Sequence, residues 1–237
     1  NFLKEVESFD FYHTYHYHSI SKSDNETPIL LKYKENDTLI GIPLLLRNIP
    51  NTKYNDATCV YGYSGPISKN IPDGFDNGHF KKVLFKYLKK NNIITVFSRL
   101  NPFIKNQHVI LNNIGLLTNK GRVVNINIQL DLEKQETNIN KRLKTYINKS
   151  RKTYTIRVAK TKQDIDEFID IYYENMDRVG AKNLYYFNKP YFYEIFNSKN
   201  YKSEILLAID NETGTIISGS QFITTNKIVQ YHLSGTK

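Results

Sequence analysis

The sequence predicts an α/β or α+β fold built on mixed β-sheet. Segments with helical spacing and segments with strand-like patterns alternate along the 237 residues. Apolar strand patterns at 28–33 and 39–46 are joined by Asn36-Asp37, a pair that favours a tight turn. Hydrophobic residues make up 40% of the chain, which is enough for a packed core. These observations disfavour a β-sandwich, a helical bundle and a wholly disordered chain.

The first half of the chain contains the elements that surround the first candidate site. We predict a short aromatic helix at 11–21, the two hairpin strands at 28–33 and 39–46, and a third strand at 55–63. A Gly/Pro/Asp-rich loop follows at 64–78, and then a helix at 80–91, a buried strand at 93–97 and a second helix at 104–113. The loop is a site candidate because loops at strand ends often carry function.

The second half is predicted to begin with a strand and a basic helix, at 123–130 and 137–152. A strand at 154–159, helices at 164–179 and 190–198, and strands at 204–209, 216–224 and 228–233 follow. Asp164 is the predicted cap of its helix, and Pro190 lies near the first turn of the next one. The order β-α-α-β-β-β therefore supports a mixed sheet.

Positive charge is concentrated in one part of the chain. The formal net charge is +10, and 137–163 contains no acidic residue among its nine cations: Lys141, Arg142, Lys144, Lys149, Arg151, Lys152, Arg157, Lys160 and Lys162. Such a field attracts phosphate-rich partners, including RNA, a coenzyme pyrophosphate or a lipid-linked pyrophosphate. The alternative is an ordinary solvated helix face.

The remaining composition excludes several classes of site. The single cysteine, Cys59, excludes an intrachain disulfide and favours a reducing compartment, so we expect a cytoplasmic protein. His13, His16 and His18 lack the spacing and the neighbouring ligands of a metal site, so no metal is expected. No apolar run approaches the length of a membrane span, and no signal-like leader is present. The chain begins without Met, and we expect a fragment.

Five short motifs occur in order along the chain. They are Val-Tyr-Gly-Tyr-Ser-Gly-Pro at 60–66, Phe-Ser-Arg-Leu-Asn-Pro at 97–102, Ile-Asn-Lys-Ser-Arg-Lys at 147–152 with Tyr-Thr-Ile-Arg at 154–157, Met-Asp-Arg to Tyr-Tyr-Phe at 176–187, and Tyr-His-Leu-Ser-Gly at 231–235. Together they resemble the FemAB-like branch of the GNAT acyltransferase superfamily. This branch includes the bacterial peptidoglycan-bridge aminoacyltransferases and BioF2-like acetyltransferases.

The resemblance implies two tandem GNAT-like domains, at 1–120 and 121–237, with the second ending before the helix that receives the donor pyrophosphate. No [QR]-x-x-G-x-[GA] phosphate loop occurs in the sequence. The implied activity is transfer of an acyl or aminoacyl group to an amine of a cell-envelope precursor or amino sugar. The implied donor is acyl-CoA or aminoacyl-tRNA, and contact with the inner membrane face is a further expectation.

Candidate substrate-binding residues lie in or beside these motifs: Tyr61, Tyr63, Ser64, Gly65, Arg99, Asn101, Arg178, Tyr186, His232 and Ser234. The loop offers hydroxyl groups and an adaptable backbone, and Arg99 offers a bidentate cation for a carboxylate or phosphate. Each has a structural alternative: an ordinary turn for the loop, an internal salt bridge for Arg99, core packing for the aromatic residues, and half-buried strand polarity for His232 and Ser234.

Phosphate binding is assigned to Lys149, Arg151 and Lys152, and no catalytic residue is assigned. Asn101 occupies a position that is often Asp in the aminoacyltransferases, and an amide cannot act as a general base. Ser64 lacks a G-x-S-x-G context, which argues against a serine hydrolase. A competing hypothesis is a non-catalytic RNA-binding module that uses the basic segment 141–162.

Overall fold

A computed structural model describes residues 2–121 and 131–237. The chain divides into two compact units, each with its own β-sheet. Unit 1 comprises Asn1–Lys120, Ser198–Tyr201 and Thr224–Ile228, and unit 2 comprises Gly121–Asn197, Lys202–Ile223 and Val229–Lys237. The strand predicted at 123–130 lies outside the described residues.

Unit 1 combines a five-stranded sheet with three α-helices among its described residues. Its strands are β1 (Glu26–Glu35), β2 (Thr38–Asn48), β3 (Asn55–Thr58), β4 (Ile67–Lys69) and β5 (Ile93–Phe97). Its helices are α1 (Tyr15–Ser21), α2 (Gly78–Lys90) and α3 (Gln107–Ile110), with 3-10 turns at Phe2–Lys4 and Phe11–His13.

The hairpin predicted from the Asn-Asp pair is confirmed. β1 and β2 pair in antiparallel register from Glu26 opposite Arg47 to Glu35 opposite Thr38. Asn36 adopts a positive φ of 50°, a conformation that asparagine tolerates better than most residues. The sheet order is β1-β2-β3-β5, with β4 also paired to β2, and β3 runs parallel to β5. The predicted mixed sheet is therefore present.

The core of unit 1 lies between this sheet and α2. Its buried members are Tyr33, Ile40, Ile42, Leu44, Ala57, Phe80, Ile93 and Ile110. β5 differs from its prediction, because only Ile93 is buried and Ile94, Val96 and Phe97 are exposed. β5 ends the strand order among the described residues, and a short apolar run does not distinguish an edge strand from a central one.

Other differences in unit 1 concern the lengths of elements. β3 ends at Thr58 rather than at residue 63, because the backbone beyond it bonds to side chains. The short strand β4 lies in the segment predicted to be only loop, and the helix predicted at 104–113 is confined to α3.

Unit 2 contains four described strands and four described α-helices. The strands are β6 (Tyr154–Val158), β7 (Lys202–Asp210), β8 (Ile216–Thr225) and β9 (Ile228–Thr236), in the sheet order β6-β7-β8-β9. The helices are α4 (Leu132–Asn138), α5 (Lys141–Thr153), α6 (Lys162–Arg178) and α7 (Lys189–Phe196), and a 3-10 turn spans Asn183–Tyr185. The predicted order from β6 onward is confirmed, whereas α4 was not predicted as a separate helix.

The core of unit 2 is formed by apolar side chains of α6, α7 and the sheet. Fully or nearly fully buried members include Phe168, Ile169, Ile171, Phe192, Ile205, Leu207 and Ile223. α5 contributes no buried residue, so its sequence serves the surface rather than the core.

The start of α6 is fixed by a capping box. Thr161, rather than Asp164, is the N-cap, and its side chain accepts a hydrogen bond from the Asp164 backbone N–H. The Asp164 carboxylate accepts the backbone N–H groups of Lys160 and Thr161 at 2.7 and 3.0 Å and pairs with Arg157 at 2.5 Å. The bond to Arg157 and these backbone bonds hold the pKa of Asp164 well below its usual range despite burial.

Replacing this carboxylate should destabilise unit 2 in a pH-dependent way. Because the folded pKa of Asp164 is depressed, its contribution is complete above its unfolded pKa of about 4 and is lost as the pH falls further. We expect Asp164→Asn to lower the free energy of unfolding by about 1–2 kcal/mol at pH 7, and by less at pH 3. Urea unfolding at both pH values measures this difference.

Asp170→Asn provides the control, because Asp170 is an exposed residue of the same helix. Its effect should remain within about 0.5 kcal/mol. An equal loss for Asp164→Asn at pH 7 and pH 3 would contradict the electrostatic role of the capping carboxylate.

Candidate functional site

Two of the sequence motifs meet at one edge of the unit 1 sheet. The loop 61–66 follows β3, and Arg99 and Asn101 follow β5. These strands are parallel neighbours, and the Cys59 backbone N–H extends their pairing by donating to the Phe97 carbonyl at 2.9 Å. In α/β sheets, ligands bind preferentially outside the carboxyl ends of such strands.

The loop 61–66 is held through its backbone. Four carbonyl groups accept hydrogen bonds from side chains of other segments: Tyr61 from the Tyr17 hydroxyl at 2.8 Å, Tyr63 from Asn101 Nδ2 at 2.9 Å, Ser64 from His13 Nε2 at 2.6 Å and Gln107 Nε2 at 3.2 Å, and Pro66 from Gln107 Nε2 at 2.9 Å. The loop therefore has a defined conformation fixed from several sides.

The glycines of this loop allow close packing beneath the backbone. Gly62 has a φ of 120°, and a Cβ atom there would lie 2.0 Å from Cε1 of Tyr12. Gly65 has a φ of 69°, and its Cβ would lie 2.6 Å from Nε2 of Gln107. Both positions combine a left-handed backbone with contact to a buried side chain, so any larger residue would displace the loop.

His13 holds the loop as a neutral imidazole. Its Nε2 lies 2.6 Å from the Ser64 carbonyl, which only accepts hydrogen bonds, so Nε2 carries the proton. Its Nδ1 then accepts the Asp10 backbone N–H at 3.0 Å. Burial lowers the pKa of His13 to about 4, although the neighbouring carbonyl groups of Asp10 and Ser64 oppose this shift. His13 is thus a structural donor at neutral pH.

Asn101 connects the two motifs, and its amide explains why an acid is unsuitable there. Its Nδ2 donates to the Asp10 carboxylate at 3.1 Å and to the Tyr63 carbonyl at 2.9 Å, while its Oδ1 accepts the Phe103 backbone N–H at 3.0 Å. Asn101 is buried, and a carboxylate could not make the first two bonds. The position serves the architecture of the loop.

The other predicted residues of this site differ in their exposure to solvent. Tyr63 is 46% exposed, and Arg99 is exposed with its guanidinium 5.4 Å from the centroid of the Phe97 ring. Arg99 forms no salt bridge within the part of the chain that the structure describes, so the internal pair considered from sequence is not observed there. Tyr61 is half-buried, whereas Ser64 and Gly65 are buried. Burial also raises the pKa of the Cys59 thiol, an effect that Arg99 partly opposes.

The candidates on β9 belong to unit 2 and differ from each other in environment. His232 is buried, with Nε2 2.9 Å from the Tyr191 hydroxyl, and burial lowers its pKa to about 3. Ser234 is half-buried and accepts a hydrogen bond from the Tyr231 hydroxyl. Both His232 and Leu233 are buried, so both faces of β9 are covered at this point.

Arg178 and Tyr186 make specific contacts at the end of α6. Arg178 donates to the carbonyl and hydroxyl oxygens of Thr236, at 2.8 and 2.7 Å, which links α6 to the end of β9. Tyr186 donates to the Asp177 carboxylate at 2.7 Å and stacks on Tyr173, and the bond to Asp177 raises the pKa of Tyr186. Phe187 stacks face to face on Tyr191 with ring centroids 4.2 Å apart. Core packing thus explains part of this aromatic group, and Tyr186 lies at its exposed rim.

The phosphate-binding candidates Lys149, Arg151 and Lys152 are exposed on α5. Leu143 and Tyr146 on the same helix are about half exposed, so apolar and cationic groups share its surface. Not all nine cations of the basic segment 141–162 are available to a phosphate-rich partner, because Arg157 forms a salt bridge with Asp164. The cations of α5 itself form no salt bridge among the described residues, and together they offer a surface for phosphate groups.

Sequence reasoning missed Asp10, His13 and Gln107 as supports of the loop. The signal for the first two was the three-residue spacing of a capping box, which Asp10 and His13 form around the 3-10 turn. Gln107 gave no local signal, because its two loop partners lie more than 40 positions away.

Within residues 2–121 and 131–237, no group of three or more His, Cys, Asp or Glu side chains is arranged to hold a metal ion. None of the described helices is long and apolar enough to cross a membrane.

No protein-family model and no curated protein matches the sequence. A comparison with solved structures finds FemX, with a TM-score of 0.68, 9% sequence identity, and coverage of 100% of this chain and 77% of that chain. The chain has a FemAB-like fold. The resemblance drawn from the five motifs and the predicted α+β tandem class are therefore confirmed at the level of fold. At 9% sequence identity, the similarity to FemX shows the fold alone.

Asn101→Asp should destabilise the loop even though the side chains are nearly isosteric. The new carboxylate would face the Asp10 carboxylate and the Tyr63 carbonyl in a buried position. We expect a loss of about 3 kcal/mol or more in the free energy of unfolding at pH 7, with partial recovery below about pH 5 as the acid protonates. Urea unfolding measures the loss, and Asn148→Asp on exposed α5 is the matched control. Equal stability of Asn101→Asp and the control would refute this role.

His13→Gln should flatten the dependence of stability on acid pH. The folded pKa of His13, about 4, lies below the unfolded value, so its contribution is complete above about pH 6.5 and is lost as the pH falls toward 4. The difference between the unfolded and folded pKa values of His13 corresponds to about 3 kcal/mol of wild-type stability. Glutamine keeps a hydrogen-bond donor for the Ser64 carbonyl but does not titrate. Unfolding measured at pH 7.5, 5.5 and 4.5 should show the shallower profile.

The exposed His108 offers a matched control, and His108→Gln should leave the wild-type pH profile unchanged. A His13→Gln profile parallel to that of the wild type would show that His13 does not carry this dependence.

Proposed function

We propose that the protein is an N-acyltransferase that moves an aminoacyl or acyl group onto an amine of a bacterial cell-envelope precursor or amino sugar. The observation that carries this proposal is the convergence of two FemAB-like motifs, loop 61–66 and Arg99 with Asn101, at the carboxyl ends of parallel strands. The FemAB-like fold, matched over 100% of this chain and 77% of FemX, gives the context, and the name FemX of the similar structure supports an aminoacyltransferase.

The acceptor is proposed to bind at the surface formed by Tyr63 and Arg99. Arg99 presents a planar cation that can bind a carboxylate or phosphate bidentately, and Phe97 beneath it restricts its orientation. Tyr63 presents an exposed ring and hydroxyl from a loop whose backbone is fixed. A rigid loop holds an acceptor amine in a defined position, which lowers the entropic cost of its attack.

In the proposed reaction the neutral amine attacks the activated carbonyl of the donor and forms the new C–N bond. The carbonyl oxygen takes up negative charge, which backbone N–H groups can stabilise. Collapse then breaks the ester or thioester bond, and the amine proton leaves to solvent or to the departing group. No side chain is assigned as a base, because the Asn101 amide does not titrate and is already hydrogen bonded.

The donor is proposed to be aminoacyl-tRNA, with acyl-CoA as the alternative. α5 is 13 residues long and has no buried residue, so its cations extend over roughly 20 Å. This length exceeds what one pyrophosphate requires and suits the backbone of a nucleic acid. Lys149, Arg151 and Lys152 would contact donor phosphates. We further propose that the protein acts in the cytoplasm, at the inner face of the membrane.

A second candidate function is RNA binding without catalysis, which the same exposed surface of α5 favours. Tyr146 and the cations around it combine stacking and phosphate contacts, as single-stranded RNA binders do. This candidate requires no role for Arg99, so variants of the two surfaces separate the hypotheses.

The test is a transfer assay with radiolabelled aminoacyl-tRNA or acetyl-CoA and an amine-bearing peptidoglycan precursor. Arg99→Lys should lower kcat/KM roughly 10- to 100-fold, because the bidentate contact is lost while the charge remains. Lys149→Glu should weaken tRNA binding and reduce its salt dependence. Lys53→Glu is the control, since this exposed lysine precedes β3 and lies at the opposite end of that strand from the loop.

Three outcomes decide between the alternatives. RNA binding without transfer from either donor would favour the non-catalytic module. Loss of RNA affinity in Lys149→Glu with unchanged transfer from acetyl-CoA would exclude tRNA as the donor. Unchanged transfer in Arg99→Lys would exclude Arg99 as an acceptor contact.

A further inference from the structure

Helix α2 presents an exposed cationic ridge on unit 1. Its sequence contains five lysines and no acidic residue. Lys81 donates to the Asn113 carbonyl at 2.6 Å, whereas Lys82, Lys86, Lys89 and Lys90 are exposed. None of these four forms a salt bridge within the described parts of the chain. The ridge therefore has unneutralised positive charge available to an external partner.

Apolar side chains flank this ridge instead of being buried beneath it. Val83, Phe85 and Tyr87 are 41%, 46% and 44% exposed, although α2 also contributes Phe80 to the core. Exposing three large apolar side chains on one short helix is unfavourable in water unless a partner covers them. The helix thus has a second surface feature that its charge does not explain.

A groove of about 130 Å³ lies between α2 and β1. Leu30, Leu31, Val83 and Leu84 contribute aliphatic walls, and the groove is also lined by Lys32, Tyr33, Phe80 and Tyr87. β1 is at the end of the strand order, so one side of the groove is an edge of the sheet among the described residues.

Lysines border the groove along α2. Lys86 follows Val83 by three positions and Lys90 follows Tyr87 by three, so each pair lies on neighbouring positions of the helix surface. Lys32 supplies a further cation from β1. The surface thus places ammonium groups directly beside an aliphatic groove.

We propose that α2 and β1 form a docking surface for an anionic phospholipid bilayer. The lysines would contact lipid phosphates, and Val83 and Tyr87, which lie one helical turn apart beside the groove, would enter the boundary between headgroups and acyl chains. Charge complementarity selects anionic lipid, and the aliphatic groove accepts part of an acyl chain. RNA fits less well, because Leu30, Leu31 and Leu84 give the groove aliphatic surface that a charged phosphate backbone would not cover.

This inference is independent of the proposed reaction and of the cationic surface on α5. It locates membrane contact on unit 1, where the candidate acceptor loop also lies. Docking there would bring an acceptor anchored in lipid to the same unit that carries Tyr63 and Arg99. The transfer chemistry could fail in experiment while the docking surface remained valid, and the reverse is equally possible.

The experiment is flotation of the 237-residue chain with vesicles of phosphatidylcholine alone or with 30% phosphatidylglycerol. We expect binding only to the anionic vesicles, with weakening as NaCl is raised from 50 to 300 mM. Lys86→Glu with Lys90→Glu should lower the partition coefficient tenfold or more, since two attractive charges become repulsive. Val83→Gln with Tyr87→Gln should lower it at low salt while leaving the salt dependence unchanged.

The matched control reverses two exposed charges of unit 1 outside α2 and β1, as Lys22→Glu with Lys53→Glu, and should retain vesicle binding. Circular dichroism and thermal unfolding confirm that each variant is folded. Equal binding to both vesicle types, or unchanged binding of the α2 charge-reversal variant, would overturn the proposal. Binding of a single-stranded RNA oligonucleotide that depends on Lys86 and Lys90, without vesicle binding, would assign the surface to nucleic acid instead.

Discussion

The buried hydrogen bonds around loop 61–66 are the constraint on which the candidate site depends. Side chains from three separate segments converge there, and each finds a partner on the loop backbone: His13, Asn101 and Gln107. Because these groups are buried, a bond lost without replacement costs more than one made at the surface contributes. The arrangement therefore specifies a single loop conformation. The position of the exposed Tyr63 side chain is set by this loop conformation.

The sequence predicted the elements with strong periodicity and the motifs with unusual composition. The hairpin β1-β2 followed from apolar alternation around Asn36, and the FemAB-like fold followed from five ordered motifs. Burial was harder to predict. The apolar run of β5 could not reveal that the strand lies at an end of the described sheet order, since local pattern carries no information about strand order.

The candidate site could be located from sequence only in part. The strand-end motifs drew attention to 61–66 and 97–102, and the structure joins these two segments by a hydrogen bond from Asn101 to the Tyr63 carbonyl. The roles of their residues, however, depend on distant partners. Asn101 resembled a substituted acid in sequence, whereas in the fold its amide donates across 91 positions to Asp10. Ser64 resembled a ligand hydroxyl, yet its carbonyl makes the defining contacts. Long-range hydrogen bonds leave no spacing pattern from which to infer them.

The two basic helices, α2 and α5, differ in how many of their residues are buried, and the net charge of the chain does not reveal this difference. α5 buries none of its residues, so its cations face the surface. α2 has to combine an anchoring residue, Phe80, with an exposed ridge of lysines and uncovered apolar side chains. A helix required only for stability would bury its apolar groups and pair some of its charges. The arrangement of α2 is better explained by an external partner that binds lysines and apolar side chains at the same surface. An anionic phospholipid bilayer offers phosphates for the lysines and acyl chains for the apolar groups.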